Sequence, residues 1–119
     1  MSITGIDHVQ VAAPPGCEEA ARAFYGGVLG LEELPKPVPL RARGGCWFRA
    51  GAQELHVGVD EGFVPARRAH PGLVCDDLEA LRTRLRGAGV AWHDDASLPG
   101  DRLYVSDPFG NRLEVRVQL

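Results

Sequence analysis

The 119-residue chain has little sulfur and few aromatic residues: 3 Cys, 1 Met, 2 Trp, 2 Tyr and 4 Phe. Cys17, Cys46 and Cys75 are odd in number and none belongs to a CxxC pair. This argues against a disulfide framework and a thiolate zinc site, and the three read as reduced, mostly buried small residues. The sequence has no apolar run of about 20 residues, the length a membrane helix needs. It also lacks a charged N-terminal region followed by an apolar one, so no export signal is read and a cytoplasmic location is expected. Basic charge is not in excess: 13 Lys and Arg face 16 Asp and Glu, for a formal net charge of −3. Apart from Arg67-Arg68 and a run of arginines on one helix, the cations are scattered, and no continuous basic face is offered to a nucleic-acid backbone. Composition and charge thus set nucleic acid and membrane aside as partners.

What remains is ordinary globular composition, 45% hydrophobic and 24% charged, enough for one domain with a modest core. The strongest local signal is near the end, at Tyr104-Val105-Ser106-Asp107-Pro108-Phe109-Gly110-Asn111-Arg112-Leu113-Glu114. Pro fixes φ, Gly and Asn tolerate positive φ, and strand formers lie on both sides, so a tight hairpin is predicted. Alternation along Leu113 to Val117 puts Glu114 and Arg116 on the face opposite Leu113, Val115 and Val117. Taken alone, Glu114 reads as a carboxylate on a solvated face.

In chain order, Ile3 to Ala13 reads as a strand with His8 and Gln10 on one face, ended by Pro14-Pro15-Gly16. Cys17 to Val28 is rich in helix formers with acids in its first turn, and Phe24 and Tyr25 would pack that helix on a sheet. A short strand (Leu31 to Leu34), a proline-rich loop and a hairpin (Cys46 to Ala50, Gln53 to Val59) follow. After a connector at Asp60 to Ala69 the pattern restarts. His70 to Cys75 is strand-like, and Asp76 and Asp77 can cap a helix carrying Leu78, Leu81, Leu85 and Ala88. Val90 to His93 is a short strand, with His93 read as exposed, and the hairpin Arg102 to Ser106 and Arg112 to Val117 completes the second half. Module one spans about 3–60, the connector about 60–69 and module two about 70–119, all within one domain spanning 1–119.

Two similar halves of one small fold must bury each other's open sheets. The repeat also pairs residues: His8 and His70 are 70 − 8 = 62 apart. Glu54 lies 54 − 8 = 46 residues after the first histidine, and Glu114 lies 114 − 70 = 44 after the second. Two imidazoles and two carboxylates, without thiolate, suit a borderline or hard divalent ion: Fe(II), Mn, Ni, Co or Zn. His56 shares a strand face with Glu54, so either could be the donor from the first hairpin.

These residues resemble the vicinal oxygen chelate superfamily of glyoxalases, bleomycin-resistance proteins, fosfomycin-resistance transferases, an epimerase and extradiol dioxygenases. The marks are Ile6-Asp7-His8-Val9, Phe24-Tyr25 with Val28-Leu29-Gly30-Leu31, Ala69-His70-Pro71-Gly72-Leu73-Val74, Ala88-Gly89-Val90 and the final hairpin. The resemblance implies an α+β fold of two βαβββ modules forming a cupped mixed sheet, with a divalent metal held by His8, His70, Glu114 and either His56 or Glu54. It implies a metal-dependent lyase or isomerase of the glyoxalase type, moving a proton on a small oxygen-chelating substrate with Glu54, His56 or Glu114 as base. The alternatives it leaves are an iron(II) dioxygenase and a ligand-binding protein of the bleomycin-resistance type. Trp47 as a cavity wall, with Arg67, Arg102 and Tyr104, are the candidate substrate contacts. A homodimer is expected, since a chain this short has little area to bury.

Overall fold

The computed structural model describes residues 1–118. Two compact units are formed, Met1–Val64 and Pro65–Leu119. Unit one contains β1 (His8–Ala13), α1 (Glu18–Ala21) running into a π-helical segment (Arg22–Val28), β2 (Glu32–Leu34), a 3-10 turn (Val38–Arg43), β3 (Cys46–Ala50) and β4 (Gln53–Val59). Unit two contains β5 (Gly72–Cys75), α2 (Leu78–Gly87), β6 (Trp92–Asp94), β7 (Arg102–Ser106) and β8 (Arg112–Val117). The sheet orders are β1-β4-β3-β2 and β5-β8-β7-β6. In each, the first strand runs parallel to the last and the remaining pairs are antiparallel. Each unit is thus a βαβββ module, and the fold is the expected α+β arrangement of two mixed four-stranded sheets.

Period-two alternation divides each sheet into an apolar and a polar face. In unit one, Val11, Ala13, Phe48, Leu55 and Val57 are buried together with Ala21, Phe24 and Tyr25 of the helix. The helix expected over 17–28 is only partly α-helical. From Arg22 to Val28 the turns are π-helical, and the adjacent Phe24 and Tyr25 are both buried. Tyr25 in turn packs on Phe48, ring centroids 5.6 Å apart. In unit two, Leu78, Leu81 and Leu85 of α2 bury with Leu103, Val105, Leu113 and Val115. Asp77 caps α2, its side chain accepting from Ala80 N at 3.0 Å.

Four expected strands start later. β2 begins at Glu32 rather than Leu31, and β6 at Trp92 rather than Val90. Only His8–Ala13 of the 3–13 segment pairs, and β5 begins at Gly72, two residues after His70. Pro71 has no N–H to donate to a ladder, although its carbonyl accepts from Glu114 N at 3.0 Å. The final hairpin forms as predicted, closed by Asp107, whose Oδ1 accepts from the amides of Phe109 at 2.9 Å and Asn111 at 2.8 Å. Among the described residues, no helix is long and apolar enough to cross a membrane.

Candidate functional site

The polar face of unit one is set by ladder register. His8 pairs with Glu54, Gln10 with His56, and Trp47 with His56, so His8, Glu54, His56 and Trp47 share one face. The rings form a stack: His8 on His56 with centroids 4.3 Å apart and planes at 15°, and His56 on Trp47 at 3.9 Å and 3°. His56 is buried, and its Nε2 meets Glu54 Oε1 at 2.9 Å. Gly58 leaves the floor open for Gln10, whose amide lies where a Cβ at Gly58 would be.

Hydrogen-bond partners fix the imidazole tautomers, because ionised carboxylates and carbonyls only accept. His8 Nδ1 faces Asp7 Oδ2 at 2.9 Å and His70 Nδ1 faces the Arg68 carbonyl at 2.8 Å. Both rings therefore carry hydrogen on Nδ1, and in the neutral form Nε2 is the lone-pair nitrogen, the arrangement in which a ligating histidine is oriented by a backbone or carboxylate acceptor. In His56 the hydrogen sits on Nε2, facing Glu54.

Unit two gathers its polar face on Glu114. The Tyr104 hydroxyl donates to Glu114 Oε1 at 2.6 Å, Arg102 Nη1 reaches the same oxygen at 3.5 Å, and His70 Nε2 lies 3.9 Å from it. Bonding to this carboxylate pushes the Tyr104 phenol above its ordinary pKa. Arg102 is itself anchored through Nη2 to Asp95 Oδ2 at 2.9 Å and Ser97 Oγ at 2.8 Å. Gly72 pairs with Glu114, and a Cβ there would meet Glu114 Oε2 at 3.6 Å, so the carboxylate leans over β5.

The registers of the two ladders bear on the choice between Glu54 and His56. Gln10 pairs with His56 in one module and Gly72 with Glu114 in the other; Trp47 pairs with His56 and Tyr104 with Glu114. Position for position, His8 matches His70 (70 − 8 = 62, as Gln10 to Gly72 is 72 − 10 = 62), Trp47 matches Tyr104, and His56 matches Glu114. Glu54 falls at the position of Arg112 instead. Spacing does not show this match, because the path from histidine to last strand is four residues longer in module one, 56 − 8 = 48 against 114 − 70 = 44.

Among the sequence-derived candidates, His8, His56, Glu54 and Trp47 are brought together within unit one, and His70, Glu114, Arg102 and Tyr104 within unit two. Arg67 stands apart from Glu114 and lines a cleft of unit two with Arg112 and His93. His93 is exposed as read, but it stands on β6 directly opposite Tyr104. Sequence reasoning did not single out Arg112, which lies over the Tyr104 ring at 4.0 Å; the alternation along β8 already put it on the face of Glu114. Asp7, Asp95 and Ser97 were also missed, because each acts through a neighbour. Among the described residues no three His, Cys, Asp or Glu side chains cluster closely enough to hold a metal ion.

Comparison with known proteins adds an independent line. Residues 13–116 match the family described as glyoxalase-like domain. A glyoxalase family protein from Bacillus anthracis is 52% identical, with a TM-score of 0.95 over 100% of this chain and 98% of that one. Lactoylglutathione lyase from Agrobacterium tumefaciens superposes with a TM-score of 0.74 at 24% identity, covering 98% of this chain and 96% of its own. TnmS3, an antibiotic-binding protein from Streptomyces sp. CB03234, does so at 0.78 and 23% identity, covering 100% and 99%. These last two likenesses establish a shared fold alone. No curated protein matches the chain. With nearly its whole length matched and half its residues shared with one such protein, the chain belongs to the glyoxalase-like domain family of the vicinal oxygen chelate superfamily.

Proposed function

We propose that the chain is a metal-dependent lyase or isomerase that moves a proton on a small oxygen-chelating substrate. The observation that carries this reading is the matched pairing of the modules: each supplies one histidine from its first strand region and one donor from its last strand, His8 with His56 and His70 with Glu114. The donor chemistry suits a divalent ion, since three imidazoles and a carboxylate form a nitrogen and oxygen set of borderline character. His8 and His70 support it further by holding Nδ1 on an acceptor, which orients each neutral ring with Nε2 as the donor nitrogen. His8, His56, His70 and Glu114 are the proposed ligands.

A bound divalent ion would stabilise negative charge building on a substrate oxygen as a proton leaves carbon. The chain supplies the proton acceptor. Glu54 is the preferred base: it lies on the same strand face as His56, it is in part exposed, and its contact with His56 Nε2 holds it in place. Glu114 is less suited, because Tyr104 and Arg102 already commit its Oε1. Trp47 forms an apolar wall that fixes the His56 ring.

The test is metal titration of protein dialysed against EDTA, with Ni, Co, Zn, Mn and Fe(II), followed by calorimetry and melting. One ion bound per chain, lost in His8→Ala and His70→Ala, supports the reading. His56→Ala should weaken binding by more than about 100-fold and Glu54→Gln by about 10-fold, the usual cost of losing a residue that only orients a ligand. Absence of binding and of stabilisation by all five ions would remove it. Oxygen uptake with a catechol under Fe(II) would replace it by the dioxygenase reading.

A further inference from the structure

We infer that unit two carries a binding subsite for a planar organic carboxylate, built around Arg112 and Arg67. The inference gives the proposed reaction its substrate class and rests on that proposal for the chemistry, whereas the binding itself stands on unit two alone. The subsite is an open cleft of about 500 Å³, within the usual range for small-molecule sites.

The lining charge is one-sided. Arg67, Arg112 and His93 line the cleft with the Ser106 hydroxyl, and no acidic residue does. Among the described residues neither Arg67 nor Arg112 has a carboxylate partner, whereas Arg102 on the neighbouring strand is paired with Asp95 and Glu114. An unpaired arginine on a surface is common; two converging on one cleft that excludes carboxylates are what an anion needs. Arg112 is also held in place. Its guanidinium lies 4.0 Å from the Tyr104 ring centroid, while that ring is fixed by its hydroxyl on Glu114. A guanidinium held against a ring keeps its N–H edge available, and that planar fork matches a carboxylate in bidentate geometry. Ser106 pairs with Arg112 across the ladder and places a hydroxyl beside the fork.

Arg67 is brought in by the connector. Gly110, at φ +91°, leaves room for Pro65; a Cβ at 110 would sit 3.3 Å from the Pro65 ring. Pro65 can therefore rest on the hairpin turn, and Ala66 and Arg67 follow it to the cleft. The remaining wall is Trp92 with small Ala66 and Ala91. That apolar part selects an organic acid over free phosphate, which would leave it uncovered. The shared Tyr104 ties the anion cleft to Glu114, so a substrate held there would carry its acid group on the same face of unit two as that proposed ligand.

The experiment is a ¹H–¹⁵N NMR titration of EDTA-dialysed protein with benzoate, benzamide and inorganic phosphate. Absence of metal removes the chance that the probe binds an ion instead, and leaves the outcome independent of whether the chain binds metal. Saturable shifts with benzoate at the Trp92 indole N–H, Ser106 and Gly110, absent with benzamide, support the subsite. Arg112→Gln and Arg67→Gln should each raise the benzoate Kd about 10-fold, the scale of one charge-assisted contact. Among the described residues Arg67 has no ion-pair partner, so its variant reports on binding without disturbing the fold. Equal binding of benzamide, phosphate saturating the same amides at lower concentration than benzoate, or wild-type benzoate affinity in both variants would each overturn the inference.

Discussion

His56 lies flat on Trp47, ring centroids 3.9 Å apart and planes within 3°, while its Nε2 meets Glu54 Oε1 at 2.9 Å. One residue thus fixes the plane of the imidazole and another its rotation within that plane. The Trp47→Leu variant keeps apolar bulk and loses the stacked surface. It should lower stability by about 1 kcal/mol, the scale of an aromatic pair, and weaken metal binding several-fold, whereas Trp47→Phe should recover most of both. Melting curves and metal titrations of the two variants check this; equal affinities in Trp47→Leu and wild type would show that the stack does not orient the ring.

Tyr104 joins two functions that a single substitution can separate. Tyr104→Phe keeps the ring under Arg112 and removes the hydroxyl from Glu114. Benzoate affinity should stay within about twofold of wild type, while metal affinity should change by about 10-fold or more as Glu114 loses an orienting partner. The two titrations measure this directly.

Arg82 is the main polar fastening of unit two. Its guanidinium is buried and bonds Glu79, Asp94 and Asp101, with the closest Asp101 contact at 2.7 Å, and these carboxylates hold its pKa far above the ordinary arginine value. Arg82→Met should cost about 2 kcal/mol, less than a fully buried pair, because the freed carboxylates are at the surface and can rehydrate. The pH sign follows from Asp101, whose carboxyl Arg82 holds below the usual range. Its stabilising contribution is present above the unfolded carboxylate pKa of about 3.9 and is lost as pH falls through the lower folded value. Urea melts between pH 2 and 7 should show a shallower acid decline in Arg82→Met than in wild type.

Gly45 occupies a corner that no side chain can enter. At φ +87°, a Cβ there would collide with the Val57 carbonyl oxygen, and its amide donates to Glu18 Oε2 at 2.7 Å. Gly45→Ala should therefore destabilise by more than about 3 kcal/mol, by clash and by positive φ together. Glu18→Gln is the milder companion. The Gly45 amide holds the Glu18 carboxyl below its ordinary pKa, so its contribution is present above about pH 4.3 and fades as pH falls through the depressed value; Glu18→Gln should lose that part of the acid dependence. Denaturant melts of the two variants at pH 3 and pH 7 test both statements.

The βαβββ repeat was legible in the sequence because period-two and helical spacings report which face of an element is buried, and both modules obey them. So were the strands of both hairpins, whose bounds at Cys46–Ala50, Gln53–Val59, Arg102–Ser106 and Arg112–Val117 agree with the reading from turn residues. The helix at 18–28 shows the limit: propensity indicates a helix, but not that its second part, Arg22–Val28, takes π-helical turns, since the choice of turn depends on how the helix packs rather than on local preference.

The sequence by itself determined which residue types face each other across a sheet, because alternation is a property of the backbone. That is why alternation alone places His8 and Gln10, Glu54 and His56, and Glu114 and Arg116 on common strand faces. Only the tertiary structure decided register and partner. It matched His56 rather than Glu54 with Glu114, gave the Glu114 carboxylate to Tyr104, and left Arg112 and Arg67 without acids around one cleft. Register depends on loop lengths and on which apolar rows fill the core, and hydrogen-bond partners depend on register. These are relations between distant segments, and spacing along a single chain does not carry them.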